Sequence, residues 1–132
     1  MIFVDTSAFI ARYIEKDQYH KKALIKWKKI IGKSKLYTSN HIIDETITLL
    51  LRKTTSTFAI EKAKILYTTK AFETMRSDID DELMALEVLE KYKDQKLSFT
   101  DCLSVASMKR NKIRKIFTFD NHFKHLFGME TI

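Results

Sequence analysis

Apolar residues along the chain follow two patterns that alternate. Short runs rich in β-branched and aromatic side chains occur at Ile2-Phe3-Val4, from Leu36 and Tyr37, more weakly from Ala71 to Met75, and from Lys115 to Phe119. Runs of this length predict buried strands. Between them the apolar positions recur every three or four residues, the period of a helix with one buried face. From Tyr19 to Ile31 that spacing is kept by Ala23, Leu24, Trp27, Ile30 and Ile31, with Lys21, Lys22, Lys26, Lys28 and Lys29 in between, so an amphipathic helix with a basic outer face is expected. Another helix can begin directly after Asp5. Thr38, Ser39 and Asn40 are residues suited to capping, and they lead into a helix reaching about Arg52 whose Ile43, Ile47, Leu50 and Leu51 face the core. Further helices are predicted over Ser56 to Thr68, Ile79 to Tyr92 and Thr100 to Arg110. A short helix from Asn121 to Phe127 then precedes an edge strand at Met129 to Ile132.

Strands that alternate with helices imply parallel βαβ units, because a parallel neighbour needs a crossover of a dozen or more residues. The expected fold class is α/β: a three-layer α/β/α sandwich around a central, mostly parallel sheet of four to five strands. In such sheets ligands bind in the crevice outside the carboxyl ends of the strands. Two glycines, no proline, and neither a linker nor a repeat leave residues 1–132 as one expected domain.

Composition narrows the class of protein. Apolar residues make up 45% and charged residues 31%, as in ordinary globular proteins, and runs such as Ile47 to Leu51 fall far short of the roughly 20 residues a membrane-spanning helix needs. Met1-Ile2-Phe3-Val4-Asp5 has no basic region ahead of an apolar stretch, so it does not read as a secretory signal and the cytoplasm is the expected compartment. A single cysteine, Cys102, has no internal disulfide partner and fits a small core position. Lys and Arg outnumber Asp and Glu by 24 to 17, a balance drawn to polyanions such as RNA or to an acidic partner protein.

Candidate chemistry lies where the predicted strands end. Asp5 follows the first strand, Glu45 lies near the start of the helix after the second, Asp101 opens a helix and Asp120 follows the fourth strand. Each has a structural explanation of its own. Asp5 and Asp120 suit N-caps, Ser98-Phe99-Thr100-Asp101 matches a capping box, and Glu45 favours a helix amino terminus. Together they mean more, because carboxylates gathered at one sheet edge repel one another unless a cation or protons relieve them. Oxygen ligands alone suit a hard ion, Mg²⁺ or Mn²⁺, which in nucleases activates a water nucleophile.

The segments Phe3-Val4-Asp5-Thr6-Ser7, Thr38-Ser39-Asn40-His41-Ile42-Ile43-Asp44-Glu45, Leu97-Ser98-Phe99-Thr100-Asp101-Cys102 and Ile116-Phe117-Thr118-Phe119-Asp120-Asn121-His122-Phe123 resemble, in order and spacing, those of PIN-domain ribonucleases, particularly the VapC-type toxins of prokaryotic toxin–antitoxin pairs. The resemblance covers essentially the whole chain. It implies a PIN-like parallel-sheet fold and Mg²⁺- or Mn²⁺-dependent cleavage of RNA phosphodiester bonds. Asp5, Glu45 and Asp101 would bind metal, and Asp120 would complete the site directly or through water. Thr6 or Ser7 would bond a metal ligand or phosphate, and Thr118 would steady Asp120. A small antitoxin protein is the implied partner, and apolar stripes between Ser56 and Tyr92 also suit a homodimer. Cys102 stands where relatives often have alanine, a departure that leaves the four acids intact.

Asp44 adjoins Glu45, but neighbours on a helix point about 100° apart, so one of the two should face the site. The four histidines show no metal-binding spacing, although His41 lies one turn before Glu45. Lys109, Arg110, Lys112, Arg114 and Lys115 form a basic run suited to solvent or to a phosphate. The aromatic residues fit core positions, with no platform for stacking bases. Two other functions compete. A phosphate-transfer domain of the phosphatase type needs a second carboxylate where Ser7 stands, and a receiver needs an acidic pair and a late lysine with no convincing equivalent here. A nucleolytically silent PIN-like module that binds RNA or protein would usually have lost the quartet.

Overall fold

The structure is a computed structural model that describes residues 1–132. Its first strand, β1 (Ile2–Val4), is buried at every position, as expected of a strand covered on both faces. In chain order there follow α1 (Thr6–Tyr13), α2 (His20–Ile30), β2 (Leu36–Ser39), α3 (Asn40–Lys53), α4 (Ser56–Thr68), β3 (Glu73–Met75), α5 (Ile79–Lys91), α6 (Phe99–Arg110), β4 (Lys115–Phe117), α7 (His122–His125) and β5 (Glu130–Thr131). All five strands are parallel, in the order β3-β2-β1-β4-β5.

That order explains the layers. Crossovers between parallel strands are right-handed. Strands β1, β2 and β3 are laid down in one direction and β4 and β5 in the other, which sends α1–α4 to one face of the sheet and α5–α7 to the opposite face. Side-chain contacts agree: Trp27 of α2 packs on Phe9 of α1 and on Phe117 of β4, while Tyr92, just past α5, donates its hydroxyl to the Leu126 carbonyl beyond α7. One apolar core runs from Ile2 to Met129 and includes the buried Cys102.

The helices follow the predicted segments closely because their starts are capped. Ser39 accepts from the Ile42 amide, Thr55 from Phe58, and Asp78 and Ser98 each form a capping box, with Asp81 and Asp101. Gly32, at φ 72°, supplies the left-handed residue that turns the chain after α2. Three details differ from the periodicity. β4 stops at Phe117, so Thr118 and Phe119 belong to the loop before Asp120. Leu51 is exposed, and Ile42 takes the core position instead. Leu24 and Ile31 also keep much of their surface in solvent, as do Leu83 and Leu86, which recur at the helical period in the segment Ile79 to Tyr92. No helix is long and apolar enough to cross a membrane.

Candidate active site

The strand order reverses at β1, whose chain continues to β2 on one side while β4 arrives on the other. This switch point opens a crevice at the carboxyl ends of β1 and β4. Asp5 stands directly after β1 and Asp120 three residues after β4. Glu45 reaches the same place from α3 and Asp101 from the first turn of α6, and all four carboxylates line one cleft of about 290 Å³. Asp44 is exposed and lies outside that cleft, as the helical offset requires.

Asp5 is the most constrained of the four. Its Oδ2 accepts from the Ser7 hydroxyl at 2.8 Å, the Thr118 hydroxyl at 2.8 Å and the Ser7 amide at 3.4 Å. Each of these hydroxyls donates its one proton to Asp5 and accepts a backbone amide in return: Ser7 from Phe119 at 2.9 Å, Thr118 from Asp120 at 2.9 Å. The 3.1 Å approach of Ser7 to Thr118 therefore has no proton left to make a bond of its own. The two hydroxyls tie the end of β1 to the loop after β4, and they leave Oδ1 of Asp5 as the oxygen available to an outside cation. Thr6 is buried, with its hydroxyl unpaired.

Charge inside the cleft is costly. Burial pushes the Asp5 carboxyl up to about 6, against the pull of the bonds from Thr118 and Ser7, with Asp101 adding repulsion. Asp101 is likewise raised, first by burial and then by the charges of Asp120 and Glu45, while its bonds with Ser98 oppose the shift. Asp101 is thus the carboxylate that feels the charges of its neighbours across the cleft. Asp101 serves two purposes at once, since its Oδ2 accepts from the Ser98 amide at 3.2 Å to complete the capping box. Asp120 accepts from the His122 amide at 2.9 Å, and the imidazole Nδ1 of His122 lies 3.0 Å from the same oxygen.

No three acidic, histidine or cysteine side chains are drawn together tightly enough to form a ready cage. The donor set still fits Mg²⁺ or Mn²⁺. Ions of the magnesium type keep several waters and are held by one or two carboxylates plus substrate phosphate, so an open, oxygen-lined cleft is a suitable receiver.

Several cleft residues escaped the sequence reading. Asp17, Gln18 and Tyr19, from the loop between α1 and α2, line the cleft, as do Lys53 and Phe119. Tyr19 and Phe119 are stacked, with ring centroids 4.6 Å apart and planes at 5°, at the mouth of the acidic site. An aromatic pair is present after all. The sole hint in sequence is that Phe117 and Phe119 alternate onto one face; a partner a hundred residues earlier leaves no local signal. The basic run from Lys109 to Lys115 has the opposite fate. It leads into the amino end of β4, the far end from Asp120, and Arg110 is engaged by Asp78 at 2.7 Å and Asp81 at 3.1 Å.

Known proteins share this architecture. A profile of the PIN domain matches residues 2–127. The 23S rRNA-specific endonuclease VapC20 of Mycobacterium tuberculosis is 34% identical over 124 residues, spanning 93% of this chain and 92% of that protein. The crystal structure of M. tuberculosis VapC20, described as a sarcin-ricin loop cleaving toxin, superposes with a TM-score of 0.87 at 30% identity over 94% of this chain and 93% of that one. VapBC2 of Rickettsia felis bound to a promoter DNA fragment shares the fold, with a TM-score of 0.72 at 12% identity, covering 100% of this chain and 98% of that one. A profile matching nearly end to end, a relative one third identical over the same span, and a parallel sheet with acids at its switch point lead to one conclusion: the chain belongs to the PIN-domain family.

Proposed function

We propose that this protein is a metal-dependent endoribonuclease, the toxin of a toxin–antitoxin pair, with Mg²⁺ or Mn²⁺ as its cofactor. The observation that carries the reading is the convergence of Asp5, Glu45, Asp101 and Asp120, from four separate elements, on one cleft. VapC20 acts on 23S rRNA by name, which makes ribosomal RNA the first substrate to test.

Asp5, Glu45 and Asp101 would hold the ion, with Asp120 completing the set directly or through water. A divalent ion bound there would activate a water as the nucleophile and supply a counter-charge for the phosphate. The chain's own contribution is orientation and electrostatics. Ser7 and Thr118 fix Oδ2 of Asp5, the Ser98 amide fixes Oδ2 of Asp101, and neighbours of this kind typically change activity about 10–100-fold when removed. Mutual repulsion within the quartet is relieved when a cation enters, which biases the cleft toward binding one.

The antitoxin reading rests on a second cavity. A groove of about 820 Å³ runs between α1, α2 and the α3–α4 corner, with Leu24, Ile31, Phe58, Ile65 and Phe72 among its apolar lining and Arg12, Lys16, Lys53 and Lys62 among its basic residues. Lys53 also lines the acidic cleft, so the two cavities meet there. An acidic, amphipathic antitoxin segment laid in the groove would reach the cleft and block it.

The test is cleavage of total RNA and of ribosomes by the purified protein, with end-mapping of products. Cutting is expected with Mg²⁺ or Mn²⁺ and not with EDTA. Cutting that survives EDTA, or survives in Asp101→Asn, would overturn the assignment.

A further inference from the structure

A third, smaller cavity of about 260 Å³ adjoins the acidic cleft and shares Tyr19, Phe119 and Asp120 with it. Its other walls include Lys26, Thr118 and Asn121. The shared wall is the stacked Tyr19–Phe119 pair. Phe119 also carries Phe117 edge-on at 5.8 Å and the Lys26 ammonium 5.1 Å from its ring centroid. Tyr19 is part-buried, and Phe119 is the single aromatic or cationic neighbour of its ring. A flat, partly wetted ring backed by a second ring and a cation is a ready surface for an incoming planar group.

Lys26 is held in place by the same arrangement. It donates to the main-chain oxygen of Ile132 at 2.6 Å, which leaves two of its three ammonium protons for another acceptor. Elsewhere the residues lining the acidic cleft are dominated by carboxylates, with Lys53 on its other side. A polyanion approaching the acids from the Asp120 side therefore meets Lys26 as the cation of this cavity.

We infer that this cavity is a subsite for one unpaired nucleotide of the RNA chain next to the phosphate that is cut, with its base on Tyr19 and its own phosphate on Lys26. The inference rests on the ribonuclease reading for the word "cut", and on geometry for the subsite. A base within a helix is already stacked on its neighbours, so a protein ring receives it from a loop or single strand. The subsite accordingly selects unpaired RNA, and because every base has a π-face it tolerates different sequences.

The test separates binding from cutting. Affinity for a short, labelled, single-stranded RNA of mixed sequence is measured in EDTA over a range of salt, and kcat and KM are measured with Mg²⁺ on an RNA spanning a mapped cut site. Tyr19→Leu keeps apolar bulk against Phe119 but removes the ring face, and it is expected to raise both Kd and KM about tenfold or more with kcat changed less than about twofold. Tyr19→Phe should restore both. Lys26→Met should lower the slope of log Kd against log salt by about 0.7, the value for one phosphate contact on a single strand. Lys112→Met removes the same charge at the far end of the sheet and should leave that slope alone. Circular dichroism confirms that each variant is folded. Unchanged binding in Tyr19→Leu, a loss confined to kcat, or equal salt slopes for Lys26→Met and Lys112→Met would overturn the subsite. A wild-type protein that binds through Tyr19 and Lys26 yet cuts no RNA would overturn the ribonuclease reading and leave the nucleotide site standing.

Discussion

The acidic cleft and the basic groove beside it differ in nearly every respect, although they meet at Lys53. The groove is almost three times larger, at about 820 Å³ against 290 Å³, and is walled by helices α1, α2 and α4 with exposed Leu24, Ile31 and Ile65. The cleft is small and is lined by four carboxylates, two following strands and two on helices α3 and α6. Volume and apolar lining suit a partner's side chains, whereas perturbed carboxyls at a sheet's switch point are a mark of functional sites. On the function proposed above, the larger cavity is the candidate docking surface and the smaller one the candidate reaction site.

This contrast can be broken most sharply at the acids. Asp101→Asn is expected to reduce RNA cleavage to the level of the chelated protein, with the fold kept because asparagine can still accept from the Ser98 amide. Denaturing gels of RNA products check the loss, and circular dichroism checks the fold. Normal cutting by this variant would move the chemistry out of the cleft.

The next effect concerns stability without metal. Burial raises Asp5 from its ordinary value of 3.8 to about 6, so between those pH values the folded chain holds a proton that the unfolded chain has released. Stability attributable to Asp5 is therefore greatest below pH 3.8, falls as pH rises toward 6 and stays low above it. Asp5→Asn removes the penalty and should stabilise the protein at pH 8 in EDTA by up to about 3 kcal/mol, with the difference vanishing in acid. Urea titrations at several pH values measure it. In wild type, Mn²⁺ should raise the unfolding temperature at pH 8, because binding to the folded state alone stabilises it. The Asn variant should respond much less.

Thr118→Val keeps the shape of the side chain and removes both its bond to Asp5 and its acceptance of the Asp120 amide. A fall in activity of about 10–100-fold is expected, with metal affinity weakened in the same range. Isothermal titration with Mn²⁺ and cleavage rates at saturating metal separate the two contributions.

The smallest effect on catalysis belongs to the groove. Leu24→Glu places a like charge where an acidic antitoxin segment would lie, and Leu24 is already 40% exposed, so folding should tolerate it. Cutting should stay within about twofold of wild type while inhibition by the antitoxin, expected from a small neighbouring reading frame, weakens tenfold or more. Undiminished inhibition would detach the groove from the antitoxin.

Much of this arrangement was legible in one dimension, because local rules decide it. The hydrophobic period marked β1, α2, α3, α4 and α5, and Ser98 and Asp101 announced the start of α6 through their capping box. Strands alternating with helices implied a parallel sheet, and a parallel sheet puts residues such as Asp5 and Asp120, which follow strands, at one end. The family resemblance then tied four separate acids together. Leu51 was misplaced for a related reason: near the end of α3 the apolar stripe broadens, and periodicity alone does not say which edge of a stripe a neighbouring helix covers.

Other features depended on the tertiary structure, since they join residues with no local relationship. Asp5 and Thr118 are 113 positions apart, and their 2.8 Å bond exists because β1 and β4 are neighbours in the sheet. Tyr19 meets Phe119 in the same way, and nothing in a run of lysines marks Lys26 as the one that folds back over an aromatic ring. Residue order alone determined that carboxylates would gather at the strand ends, because periodicity and capping act over a few residues. Which oxygen of Asp5 stays free, how far burial lifts its pKa, and which ring and cation border the cleft were decided by three-dimensional packing, because desolvation and hydrogen-bond geometry depend on neighbours that the chain brings together only when it folds.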